Sequence, residues 1–185
     1  MTNIDARQAA SALSDIDDIS RRVRQSRVYN LASLMLVLWG ALTFAGYIAG
    51  YVFPRQAQWT WIAIYVIGIA GSLLIGSREH RRSGVRSFDG RMLLGLLLFF
   101  AFGFLWSVGI AHLTPRQACA FWPTYFMMVY TIVGLWVGPA FVAIGLGITG
   151  LTLIGYVFVG AWYDLWMALF NGGGLVLGGL WMRRG

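Results

Sequence analysis

The 185-residue chain is 58% hydrophobic and only 11% charged, carries 9 tryptophans, and has a formal net charge of +7. Soluble globular domains are about a quarter charged, so this composition excludes an ordinary soluble fold, while the length allows one compact domain. Charged residues stand between apolar segments rather than along helix faces, the pattern of an all-α polytopic membrane bundle with polar connections.

In chain order, the first element is a cytoplasmic arm, residues 1–28, ahead of a membrane domain, residues 29–185. Ala6, Ala9, Leu13, Ile16, Ile19 and Val23 recur at intervals of three and four, which makes an apolar stripe on an amphipathic helix. Asp17 with Arg21 and Asp18 with Arg22 add acid-before-base pairs four residues apart, a spacing that supports an exposed helix. Leu13, Ile16, Ile19 and Val23 are the candidate partner-binding face. Such a stripe suits lipid head groups, a cytoplasmic loop or a partner helix.

A helix needs about 20 apolar residues to cross the hydrocarbon core. Six stretches qualify: Leu31 to Phe53, Trp59 to Gly76, Met92 to Leu113, Cys119 to Val137, Ala140 to Gly160, and Leu165 to Met182; none contains Asp, Glu, Lys or Arg. All 14 basic residues are arginine. The arm, the loop after the second span and the C-terminus hold all of them except Arg55 and Arg116. Positive loops are retained in the cytoplasm, so both termini are expected there. The first apolar run, starting at Leu31, is too long for a cleavable signal. Arginine without lysine points to a GC-rich bacterial genome, hence to an inner membrane. The charge is then topological, and the expected partners are membrane lipids and a cytoplasmic protein or a second copy, not nucleic acid.

The last span contains the glycine-rich stretch Asn171-Gly172-Gly173-Gly174, followed by Gly178 and Gly179. A phosphate loop requires a lysine and a hydroxyl after its glycines; Gly179 and Leu180 stand there instead. Leu177 likewise occupies the third glycine of a dinucleotide fingerprint. Gly174 and Gly178 have the spacing of a close helix-packing face, repeated by Gly46 with Gly50 and Gly134 with Gly138. The alternative is a local unwinding at Asn171 to Gly174 that offers backbone groups to a ligand. LTFAGYIAG from Leu42 resembles LTLIGYVFVG from Leu151, and FPRQAQWTW from Phe53 resembles TPRQACAFW from Thr114, as three parallel hairpins would.

At the outer span ends, His112, Arg116, Tyr125 and Asp164 form a candidate rim site, accompanied by Cys119 and Tyr163 and by interfacial tryptophans. His112 with Asp164 could share a proton. No cofactor or metal is expected. Without lysine there is no Schiff base, two histidines with one in a charged loop leave no haem pair, and a single cysteine gives no dithiol centre. No carboxylate is placed deep in a span for coupled transport.

The arm followed by Leu38-Trp39-Gly40 resembles uncharacterised small bacterial multi-span membrane proteins, a likeness that implies no activity. The length and span number are similar to those of the substrate-binding membrane subunits of energy-coupling transporters, although the Arg-rich arm departs from that pattern. The sequence therefore leads to a non-enzymatic inner-membrane protein that binds a partner or senses through its arm and Arg-rich loop. The alternative is a small transporter or a substrate-binding subunit of a transport complex.

Overall fold

The computed structural model describes residues 6–83 and 90–184, with continuous side-chain detail over 28–78 and 94–183. Helix α1 runs without interruption from Ala6 to Val52, 47 residues. No glycine or proline occurs between Ala6 and Trp39, so nothing removes a ladder hydrogen bond or invites a kink. At 1.5 Å per residue such a helix is about 70 Å long, more than twice the hydrocarbon thickness of about 30 Å. Arm and first span are thus one helix, and residue 28 marks a change of composition with no break in the backbone. Leu13, Ile16, Ile19 and Val23 lie on this helix, with their side chains outside the described ones.

A single 3-10 turn, Pro54–Gln56, leads into α2, Ala57–Ser83. Helix α3, Gly90–Phe104, ends in a wide π turn, Leu105–Ile110. Helix α4, Pro115–Val137, starts with proline at its first position and a capping box in which Thr114 and Gln117 bond each other's backbone N–H groups, satisfying donors that a helix start leaves open. Gly138, with φ 153° and ψ 160°, turns the chain into α5, Pro139–Phe158. That combination is essentially confined to glycine. Helix α6, Tyr163–Met167, passes through a π segment, Ala168–Gly173, into α7, Gly174–Arg184.

The described residues contain no strand. Five helical stretches are long and apolar enough to cross a membrane, Val28–Val52, Pro54–Arg78, Pro115–Val137, Pro139–Phe158 and Tyr163–Arg183, beside a shorter apolar one, Leu94–Ile110. The chain is an all-α bundle with membrane-spanning helices. The third apolar helix, after widening into the π turn, ends at Ile110, three residues before the Leu113 expected from composition.

Neighbouring helices run antiparallel. Ser33 donates a 2.7 Å hydrogen bond to the Gly179 carbonyl, and a Cβ on Gly172 would meet Phe44, so α1 and α7 pass in opposite directions. The contacts of Gly71 with Leu38, Gly103 with Trp122, Gly134 with Val142 and Gly178 with Ile144 set α1/α2, α3/α4, α4/α5 and α5/α7 likewise. The start of the first span and the end of the last therefore share one end of the bundle. Two core clusters fill it. One, near the chain ends, joins Leu36, Met127, Phe141, Ile144, Ile148 and Leu175; the other joins Tyr47, Ala120, Tyr163, Met167 and Ala168. Helices α2 and α3 are peripheral, and side chains such as Val66, Leu73, Leu97 and Val108 are more than half exposed. Apolar surface on this scale is what lipid, not water, accommodates.

Candidate functional site

The glycine-rich stretch is neither a plain packed helix nor an open, unwound loop. Residues Ala168–Gly173 form a π segment, within which Asn171 and Gly172 are buried. The tightest packing falls on other glycines than the pair expected from spacing. A Cβ on Gly174 would sit 3.6 Å from Ile148, ordinary contact, and one on Gly178 would sit 3.0 Å from Ile144. On Gly172 it would lie 2.6 Å from the Phe44 backbone, and on Gly179 2.9 Å from the Ser33 carbonyl. Gly172 and Gly179 are seven residues apart, as are Gly40 and Ser33 facing them, which makes a small-residue seam of heptad spacing. Gly50 meets nothing and Gly46 packs on Trp61 and Ile64. Gly174 and Gly178 thus pack on α5, and the closer approach, of Gly172 and Gly179 to α1, falls on a second face of the same helix.

Beside this stretch a groove of about 390 Å³ runs between α5 and α6–α7, lined by residues that include Ala143, Gly147, Leu151, Phe170, Gly174 and Leu177. None of its lining side chains is polar, so it offers nothing to hold a phosphate.

Of the four rim residues, Arg116 and Asp164 lie close enough to interact electrostatically, while no hydrogen bond or ion pair among the described residues joins them to His112 or Tyr125. His112 stands in the link after α3 with φ 46° and is exposed. Asp164 lies in the first turn of α6, where a carboxylate complements the helix N-terminus. No hydrogen bond or ion pair joins the two, and no group of three potential metal ligands occurs among the described residues. Tyr125 is half-way along α4, stacked between Phe99 and Phe121 at 4.3 and 5.3 Å, and its hydroxyl donates to the Phe99 carbonyl at 3.1 Å. It is a tie to α3 within an aromatic seam that also includes Phe104 on Trp122. Replacing Tyr125 with phenylalanine keeps the stacking and removes one neutral bond, so the unfolding midpoint should fall by the equivalent of about 1 kcal/mol, measured by tryptophan fluorescence in detergent.

Arg116 is the rim residue with a defined chemical role. Its guanidinium donates to the carbonyls of Gly160 at 2.8 Å, Val159 at 2.6 Å and Tyr156 at 3.0 Å, and lies over the Tyr163 and Tyr156 rings at 5.1 and 5.7 Å. It binds the start of α4 to the end of α5, where the last carbonyls of a helix lack partners and a cation is favoured. The enclosed Tyr163 hydroxyl has no partner, and neither has that of Thr152 further in; sequence reasoning names Tyr163 but misses Thr152, whose signal, a hydroxyl in an apolar run, is too common to single it out.

Comparison with protein-family models, with curated proteins and with solved structures finds no match.

Proposed function

We propose that this is a non-enzymatic bacterial inner-membrane protein, with both termini in the cytoplasm, that binds a cytoplasmic protein through its arm and relays that contact to the bundle. The observation that supports this reading is the continuity of α1 from Ala6 to Val52. One half of this helix extends past the first span. The other half carries Ser33, Gly40 and Phe44, which pack against Gly179 and Gly172 beside the π segment. A helix without a hinge transmits a displacement of one end to the other, and π segments are found disproportionately at functional sites.

The arm is tested by cross-linking in cells. Changing Leu13, Ile16 and Val23 together to serine should abolish capture of a specific cytoplasmic partner while leaving membrane insertion intact. Capture of the same proteins by the variant would remove the main support for the reading. Insertion of two glycines between Arg27 and Val28 should preserve capture but uncouple it from the bundle. Orientation is tested separately: reporter fusions after Gly84 and after Arg184 should report cytoplasm, and one after Arg116 the far side. A far-side signal at Arg184 would overturn it.

A further inference from the structure

The groove between α5 and α6–α7 has a defined length and width. Its α5 wall runs from Ala143 to Leu151, and its other wall, the π segment included, from Leu169 to Leu177. Missing side chains hollow it out: Gly174 adds none to one wall, and on the other a Cβ at Gly147 would meet nothing within 4 Å. A volume of about 390 Å³ over eight residues of helix, or about 12 Å, gives a cross-section of about 30 Å². That admits an extended hydrocarbon chain, whereas a helix with its side chains is about 10 Å across.

The two ends of the groove differ. Toward the rim, Trp166 lies against Gly155 on α5 and its indole N–H donates to the Leu151 carbonyl at 2.8 Å, with the Phe170 ring 4.1 Å from its own. These rings cross between the walls and shut that end. At the other end Ala143 and Leu177 are exposed. Trp181 and Arg184 follow Leu177 at four and seven residues, which puts them on the face of α7 that carries Leu177. Trp181 is more than half exposed, and tryptophan at a span end marks the head-group level. Arg183 beside them is also exposed. No Asp or Glu occurs between Asp89 and Asp164 or after Asp164, so at this level α4, α5 and α7 carry two arginines and no acid.

We propose that the groove holds one acyl chain of an anionic phospholipid, its methyl end against Trp166 and Phe170 and its phosphate at Arg183 and Arg184 beyond the open end. The apolar lining suits the chain and leaves the phosphate to the arginines. Lipid tails are as apolar as the groove, so the tail gains little from entering it. Selection therefore falls to the head group, which arginines near the membrane surface attract when it is anionic. The lipid belongs to the leaflet on the side of the chain ends, the cytoplasmic one in the orientation proposed above; the site itself does not depend on that orientation.

The test uses the full chain in detergent after lipid removal, with phosphatidylglycerol and phosphatidylcholine of matched chains as probes and native mass spectrometry as the readout. The protein should retain one phosphatidylglycerol on the order of tenfold more tightly than phosphatidylcholine, the discrimination expected of two arginines near a surface. Arg183→Gln combined with Arg184→Gln should remove that preference. Gly147→Leu fills the groove and should displace the retained lipid, while its unfolding midpoint without lipid stays that of the original, because the added Cβ meets nothing within 4 Å. Gly150→Leu, equally free of neighbours but outside the lining, should keep the lipid. Ala143→Leu narrows the open end and provides a second route to the same loss if Gly147→Leu folds poorly. Equal binding of the two lipids by the original chain, or full retention by either groove-filling variant, overturns the proposal. A dimer mass that Gly147→Leu abolishes also overturns it, because the groove would then belong to a second copy.

Discussion

Replacing Gly172 with leucine should cause the largest loss of folded protein among single changes in the membrane domain. A Cβ at this position would lie 2.6 Å from the Cα and N of Phe44. Those are backbone atoms, so no rotamer change relieves the contact; α1 and α7 must move apart. The opposite wall is equally closed, since a Cβ on Gly40 would lie 2.8 Å from the Gly172 carbonyl oxygen and 2.8 Å from the Val176 nitrogen. In lipid, helices are held by close packing and polar contacts rather than by expulsion of water, so separation also stretches the buried bond from Ser33 to the Gly179 carbonyl. Overpacking typically costs about 1–3 kcal/mol, and the backbone contact places Gly172→Leu near about 3 kcal/mol. Gly174→Ala, whose new Cβ meets Ile148 at 3.6 Å, and Gly50→Ala, whose Cβ meets nothing within 4 Å, should both be mild. Unfolding midpoints in detergent decide the matter. If Gly172→Leu unfolds with the same midpoint as Gly50→Ala, the seam contributes nothing.

The contrast between Gly172 and Gly174 shows where sequence reasoning stops. Apolar length alone predicts the helices, because a span must satisfy its backbone internally, and Pro115, Gly138 and Pro139 mark boundaries by their own stereochemistry. The continuity of α1 is also legible: thirty-odd residues without glycine or proline contain no stop signal, so the change in polarity at residue 28 falls within one helix. The face a glycine presents is another matter. Four-residue spacing identifies Gly174 and Gly178 as one stripe, which packs on α5, but it does not reveal that Gly172 and Gly179, seven residues apart, reach α1. The rim residues show a similar limit. Topology brings His112 and Asp164 to one end of the bundle, yet no hydrogen bond or ion pair joins them, and Tyr125, eleven residues into α4, ties that helix to α3 instead.

Arg116→Ala should produce the second large effect, and its control is built into the sequence. Pro-Arg-Gln occurs twice, at Pro54 to Gln56 and Pro115 to Gln117. Arg55 lies exposed in an isolated 3-10 turn. Arg116 opens a capped helix and donates to three carbonyls at the end of α5, forty or more residues away in sequence. Bonds from a charged donor contribute about 1.5–3 kcal/mol each when well placed. Arg116 is exposed at a wet interface, where water can replace it and charge is screened, so the net loss for Arg116→Ala should be about 2 kcal/mol rather than the sum. Arg116→Lys should recover only part, because an ammonium cannot span three carbonyls as the planar fork does and stacks less well on Tyr156 and Tyr163. The position of the damage is as specific as its size. Without the cation, the last turn of α5 and the link to α6 lose their tie to α4, so amide exchange over residues 156–162 should accelerate while the α1/α7 seam stays protected. Arg55→Ala should change neither the midpoint nor this exchange. If the two alanine variants behave alike, the guanidinium is a surface charge like the other, and the end of α5 is held by its own packing.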